Sequence, residues 1–203
     1  ALPRVMAESF MDDDYYSFLQ PDPVKRKQML FELADAVQRH NQHGFNFLVL
    51  DSDYRAVGAV LASPCGHENH WGDLDVFNQV LQRNGVSDQV LELEKKLKMF
   101  TSADMEHIYI AMIGVLPEMQ SHRIGSNLMG FFQRIADQYE CQMFLENSKE
   151  KNIGFYEKCG FQLIQIIQFE IDGLCKDKIF GMRREVDGKI DEQQQTVVLN
   201  MIS

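Results

Sequence analysis

The sequence predicts an α/β (α+β) fold, on three observations. Tyr109 to Val115 is a run of β-branched and apolar residues suited to a buried strand, and it gives way at Pro117 to a glycine-containing loop and then to helical periodicity. Two pairs of short apolar runs, Phe45 to Leu50 with Arg55 to Ala62 and Phe161 to Ile171 with Lys176 to Arg184, are each joined by a turn and read as antiparallel pairs. Between the strands lie stretches whose apolar residues recur every three or four positions, the signature of amphipathic helices.

In chain order, Ala1 to Met6 carries no clear signal. Ala7 to Leu19 reads as one or two short helices, with Asp12-Asp13-Asp14 as a solvated face and Tyr15 and Tyr16 as candidate substrate contacts. Pro21 to Pro23 is a turn. Asp22 is placed as N-cap and Pro23 as first residue of a helix running to His40, with Leu30, Leu33, Ala34 and Val37 on its buried face. His40 and His43 sit where basic residues meet the negative end of the helix dipole. The hairpin follows, turned at Asp51 to Tyr54, and Gly58 in its second strand suggests a bulge or a close approach. Leu74 to Arg83 and Asp88 to Phe100 are two helices separated by Asn84-Gly85. After the central strand, the helix over His122 to Glu140 buries Ile124, Leu128, Phe131 or Phe132, and Ile135. Cys141 to Glu146 is a strand, Lys149 to Lys158 a short helix closed by Gly160, and Asp172-Gly173 turns the last antiparallel pair. Beyond Arg184, Thr196 to Ile202 reads as one more strand, expected to cover a sheet edge in its own or a neighbouring subunit. The division is a single domain over residues 1–185, with a helical insertion at 63–105, and a tail over 186–203.

The chain has 203 residues with 45% hydrophobic and 25% charged content, ordinary for one globular domain with a sizeable core. Its net charge of −10 argues against a nucleic-acid partner, because phosphate recognition needs Lys/Arg patches. No apolar run approaches the roughly 18–20 residues of a membrane-crossing helix, and no signal peptide is visible. Cys65, Cys141, Cys159 and Cys175 have no scaffold spacing and read as free thiols of a reducing compartment, so the expected location is cytoplasmic. Cys65, His67 and His70 fit no established zinc spacing and lack an evident fourth ligand, so no metal is expected.

The chemistry concentrates in two motifs. Gln120-Ser121-His122-Arg123-Ile124-Gly125-Ser126 opens a helix, whose first turn offers unpaired N–H groups and a partly positive dipole end, and Gly125 allows close approach of a ligand to the backbone. That is a diphosphate cradle. The second motif is Phe155-Tyr156-Glu157-Lys158-Cys159-Gly160-Phe161.

Together with Val115-Leu116-Pro117-Glu118, these motifs resemble the GCN5-related N-acetyltransferases, whose phosphate loop reads Gln/Arg-x-x-Gly-x-Gly/Ala. The departure is Arg123, which stands where the first glycine usually stands and demands an allowed φ there. The resemblance covers roughly Phe45 to Arg184. His107-x-Tyr109-Ile110 and Leu145-Glu146-Asn147-Ser148 look most similar to the puromycin N-acetyltransferase branch.

The resemblance implies a mixed central sheet of six to seven strands with helices on both faces, acetyl-CoA as cosubstrate, and acyl transfer to an amine. It assigns the diphosphate to the Ser121 to Ser126 backbone with help from Gln120 and Arg123. The pantetheine arm goes to Ile113, Gly114 and Val115, where Gly114 suits a bulge, and to Asn152. Tyr156 is the expected acid, because a phenol with a reference pKa of about 10 holds its proton at neutral pH. The family's base position aligns with Tyr109. Glu106, His107 and Glu146 lie near it, and Glu146, where two strands part, ranks first. The expected acceptor is a small-molecule amine. A peptide acceptor, or a CoA-binding module without turnover, stands as the alternative.

Overall fold

Helix ends are set by local chemistry. The computed structural model describes residues 1–41, 44–64, 74–88, 91, 107–171, 175–186 and 195–201. The first helix, α1 (Leu2–Ser9), begins earlier than expected, because Pro3 sits in its first turn and Leu2, Val5 and Met6 form a buried stripe at helical spacing. α2 (Asp14–Leu19) is capped by Asp13, whose carboxylate accepts from the Tyr15 and Tyr16 N–H groups. α3 (Pro23–His40) starts as the sequence indicated, with Asp22 accepting from Val24 N and Lys25 N and Pro23 in the first turn. At its other end His40 Nδ1 meets the Ala36 carbonyl at 2.8 Å. His43, the 65–73 loop with its cysteine and histidines, Glu106, the Asp172-Gly173 turn and all but the start of the expected Asp88 to Phe100 helix fall outside the described residues.

The strands are β1 (Phe45–Leu50), β2 (Ala56–Ser63), β3 (His107–Val115), β4 (Gln142–Asn147), β5 (Gln162–Ile171), β6 (Cys175–Arg184) and β7 (Gln195–Met201). They form one mixed sheet in the order β1-β2-β3-β4-β6-β5-β7. β3 pairs with β4 in parallel, and so does β5 with β7, while the other neighbours are antiparallel. The C-terminal strand therefore does cover a sheet edge, in its own chain, but at the end of the sheet opposite β1. Among the described residues β1 pairs only with β2, and it carries the exposed Leu48 and Leu50.

Helices pack on both faces. α4 (Leu74–Arg83) joins α2 and α3 over Ile167 and Ile179, and α1 and α3 cover Ala59, Leu61 and Met112. On the opposite face α5 (Ile124–Gln138) and α6 (Ile153–Lys158) bury Leu128, Met129, Phe132 and Tyr156 against Val60, Ala62, Ile110 and Leu145. Of the two phenylalanines left open by periodicity, Phe132 is the core residue, and Phe131 packs at the surface on Phe47, with ring centroids 5.3 Å apart. β2 alternates between the two cores, so it is buried along its whole length. Cys141 and Cys159 are buried and neither forms a disulfide, in agreement with the sequence reading.

Two glycines and one arginine shape the region that matters for function. Gly114 was expected at a bulge, but it pairs in regular register with Ala59, and the irregularity lies at Ala111, between the Leu61–Met112 and Ala62–Ile110 pairs. Gly114 is required by α1, since a Cβ there would stand 2.8 Å from Ser9 Cβ and 3.1 Å from Met6 Sδ. Gly58 makes room for α5, as its Cβ would reach Ile124 Cγ2 at 3.0 Å. Arg123 adopts φ 61°, ψ 11°, the left-handed conformation demanded by its glycine-like position, and Ser121 is also left-handed at φ 68°. α5 consequently starts at Ile124, two residues later than the periodicity suggested.

Gly114→Ala should lower stability by about 1–3 kcal/mol, the range for overpacking a tight site. The check is a lower denaturation midpoint with unchanged slope. Arg123→Gly should be more stable than Arg123→Ala by about 1 kcal/mol, since both remove the guanidinium and only alanine opposes the left-handed conformation. Equal midpoints for the two would mean that the loop relaxes out of that conformation.

Candidate active site

The pairing of β3 with β4 runs from His107–Gln142 to Ile110–Leu145 and then stops. β4 continues along β6, with Glu146 opposite Gly181 and Asn147 opposite Phe180, while β3 bends away at Ala111 and stays with β2. The two strands enclose a wedge. A cavity opens into it, walled by Ile110 to Ile113 on one side and Leu145 to Ser148 on the other, with Asn152 and Tyr156 at its margin. On the β4 side no strand among the described residues pairs with Ala111 to Val115, so Ile113, Gly114 and Val115 present an open peptide edge there. A buried strand edge needs partners for its N–H and C=O groups, and an amide-bearing ligand supplies them.

Glu146 and Tyr109 meet in this wedge. The Tyr109 hydroxyl donates to Glu146 Oε2 at 2.8 Å, and the Tyr109 ring stacks on Phe144. The residue aligned with the base position and the residue ranked first for that role thus form one hydrogen-bonded pair. His107, expected near a surface, is 3% exposed within the aromatic group of Tyr109 and Phe144, and it is not part of the cavity wall. Tyr156 lines the cavity from α6. Burial first, then the nearby Cys159 and Asp13, push its hydroxyl above its ordinary value near 10. It therefore holds a proton throughout the neutral range.

Asp13 is the largest departure from the sequence reading. It was placed on a solvated acidic face, yet it is 3% exposed and lines the cavity. Its Oδ1 caps α2, its Oδ2 accepts from Ser148 Oγ at 2.8 Å, and Lys149 Nζ lies 3.7 Å from Oδ2. Lys149 also donates to the Asp12 carbonyl. These bonds tie the α1–α2 corner to the turn after β4. The Asp13 carboxyl is raised above 3.8, first by desolvation, with the Ser148 and Lys149 contacts pulling it partly back. The native state thus binds this proton more tightly than the unfolded chain. Stability associated with it is complete below about 3.8 and is lost as pH rises through the native value. Tyr15 and Tyr16 line the cavity together with Phe10, an aromatic that the sequence places in the core or a cleft wall, and with Phe77, which sequence reasoning did not single out. Burial, then the charges of Asp13 and Glu146, raise the Tyr16 hydroxyl.

The phosphate loop lies at the open end of β3. Ser121, His122, Arg123 and Ser126 are exposed, with Ile124 and Gly125 half-buried. No side chain caps the first turn of α5, so its N–H groups suit a diphosphate. The Gln120 amide is turned back to the Val115 carbonyl at 3.4 Å. Gly125 lies where α6 meets the start of α5, and a Cβ there would stand 3.4 Å from the Phe155 ring, an ordinary van der Waals contact. Asn152 sits beside Asn147, its Nδ2 3.5 Å from Asn147 Oδ1, which places it at the cavity margin. Among the described residues no group of three or more His, Cys, Asp or Glu side chains is arranged to hold a metal.

Comparison with known proteins agrees with this geometry. The sequence profile of the Acetyltransferase (GNAT) family matches residues 6–161. Glucosamine 6-phosphate N-acetyltransferase of Candida albicans is 28% identical over 99 residues, 46% of this chain and 64% of that enzyme, so the chain spans less than two thirds of that relative. Among solved structures, the histone acetyltransferase HPA2 and related acetyltransferase from Corynebacterium glutamicum is similar at TM-score 0.61 and 19% identity, with 91% of this chain and 89% of the other covered. The Drosophila melanogaster polyamine N acetyltransferase is similar at TM-score 0.59 and 13% identity, with 91% and 95% covered. Naa20 of Chaetomium thermophilum is similar at TM-score 0.52 and 12% identity, with 97% and 90% covered. At these identities the structures speak for the fold, while the profile spans everything from the middle of α1 through the phosphate loop to the end of the Tyr156 motif: the chain belongs to the Acetyltransferase (GNAT) family.

Proposed function

We propose that this protein transfers the acetyl group of acetyl-CoA directly to a primary amine of a small molecule, both substrates being bound together in the wedge between β3 and β4. The observation that carries the reading is the convergence on one cavity of an open β3 edge, the Tyr109–Glu146 pair and Tyr156.

The parts divide by role. The backbone of Ser121 to Ser126 at the start of α5, with the exposed Arg123 beside it, holds the diphosphate, and the edge of Ile113, Gly114 and Val115 receives the pantetheine amides with help from Asn152. Acetyl-CoA supplies the activated acyl group as a thioester. Glu146, oriented by the Tyr109 hydroxyl, takes the proton of the acceptor ammonium. As the C–N bond forms and the C–S bond breaks, the Tyr156 hydroxyl gives its proton to the departing sulfur, and the second proton that the nitrogen sheds in becoming an amide restores the Tyr156 hydroxyl. The raised pKa of that hydroxyl keeps it protonated throughout the neutral range.

A small acceptor is favoured over a peptide because residues of the α1–α2 corner and Phe77 of α4 contribute to the cavity wall. The likeness of His107 to Ile110 and Leu145 to Ser148 to the puromycin N-acetyltransferase branch supports the same choice. Residues 1–185 form the catalytic unit in this reading, with 63–105 on the acceptor side and 186–203 as a tail that lends β7 to the sheet.

Tyr156→Phe should lower kcat by about 100-fold, within the usual range for a positioned acid, and leave acetyl-CoA affinity within about twofold by calorimetry. Unchanged turnover would remove the acid assignment. Glu146→Gln should cost a similar factor in kcat/KM for the amine, measured as release of CoA thiol. A loss confined to acetyl-CoA binding would place Glu146 outside the proton path.

A further inference from the structure

The walls of the acceptor cavity carry more information than the reaction class. Two carboxylates line it, Glu146 at the end of β4 and Asp13 at the α1–α2 corner, which is bonded to Ser148 in the turn after β4. Aromatic rings line the cavity beside them. Tyr16 packs edge-on against Phe10 and against Tyr15, both at 5.6 Å between centroids, and Phe77 and Tyr109 complete the wall. Among the described residues no Lys, Arg or His lines the cavity. Lys149 does not line the cavity, but its Nζ lies 3.7 Å from Asp13 Oδ2 and donates to the Asp12 carbonyl.

We infer that the acceptor is a compact amine carrying a second positive charge and no anionic group, its reacting nitrogen directed at Glu146 and its other ammonium lodged among Tyr16, Phe10 and Asp13. This rests on the acetyltransferase reading above and specifies its substrate class. Three physical arguments carry it. A buried carboxylate that has lost much of its hydration is stabilised by an incoming cation, and the raised Asp13 carboxyl is such a group. Ring faces attract an ammonium, more strongly where water is excluded. An acceptor bearing phosphate or carboxylate would meet two carboxylates, one of them, Asp13, paired with Lys149, and no Lys, Arg or His among the described lining residues, a like-charge contact that disfavours binding. The relative named for glucosamine 6-phosphate thus bears a substrate group for which this wall is unsuited.

The test is CoA-thiol release by the whole chain with acetyl-CoA and four acceptors: 1,4-diaminobutane, butylamine and 4-aminobutanoate, which match in chain length, and the larger glucosamine 6-phosphate. The diamine should exceed butylamine by at least tenfold in kcat/KM, and the two anionic amines by at least 100-fold. Asp13→Asn, which retains a capping side chain, should reduce the ratio of diamine to butylamine to about threefold or less; a ratio that stays at its wild-type value overturns the role of Asp13. Equal or better transfer to butylamine or to an anionic amine overturns the inference and leaves the acetyltransferase reading intact. No transfer to any of the four, with acetyl-CoA binding retained, overturns both. The wild-type panel decides the substrate class even where the variant is too unstable to assay.

Discussion

The site depends on a single loss of pairing. β3 and β4 run in parallel for four residue pairs and then separate, because each has a stronger claim on its other side. β3 follows β2 through the bulge at Ala111, and β4 follows β6 to Asn147. Backbone groups in a sheet interior are expensive to leave without partners. The separation is tolerable where a ligand with its own amides can complete the ladder, so the defect in the sheet doubles as a binding edge. Glu146 lies just past the last β3–β4 pair, where its side chain accepts from Tyr109 and lines the cavity.

The wedge needs walls that do not collapse into it. On one face the α5–α6 contact, with Gly125 against Phe155, fixes where Tyr156 enters. On the other, α1 lies against Gly114 and delivers the chain to Asp13, which is bonded at once to α2 and to the turn that follows β4. A buried carboxylate is costly unless its lone pairs are satisfied. Here two backbone N–H groups, a serine hydroxyl and a lysine offset part of that cost. The remainder appears as the raised Asp13 carboxyl. Such a contact is poor value for stability alone, and it makes sense where the charge also faces a ligand.

How much of this could be read beforehand follows from how local each feature is. The Asp22–Pro23 helix start, the two hairpin-like pairs, the loop before α5 and the placement of Tyr156 were legible, since each rests on a few adjacent residues and the rules of capping, alternation and turn chemistry. Asp13 was not, because in Asp12-Asp13-Asp14 only one carboxylate turns inward, and the choice is made by Ser148 and Lys149, well over a hundred residues away in the chain. Gly114 looked like a bulge residue and proved to be the floor for α1, which the first residues had not announced as a helix. The final strand was legible as a strand, but its position beside β5 follows from sheet order, which periodicity does not encode. Tyr109 and Glu146 were named as separate candidates because sequence spacing cannot show a hydrogen bond across parallel strands.

The same distinction explains why family membership is plain in this chain while the acceptor must be argued from side chains. The part of the site assigned to the nucleotide is made of backbone: a helix start, two left-handed residues and an open strand edge. Backbone shapes of this kind impose narrow sequence patterns, and the overall fold is shared with structures only 12–19% identical to this chain. The part assigned to the acceptor is made of side chains on α2, α4 and the α1–α2 corner, packed on the sheet but not part of its hydrogen-bond ladder. Side chains so placed are not fixed by strand pairing, so they leave no comparable local pattern in the sequence. What bears on the acceptor is therefore the charge and ring inventory of the cavity wall, which among the described residues includes two carboxylates set among aromatic rings.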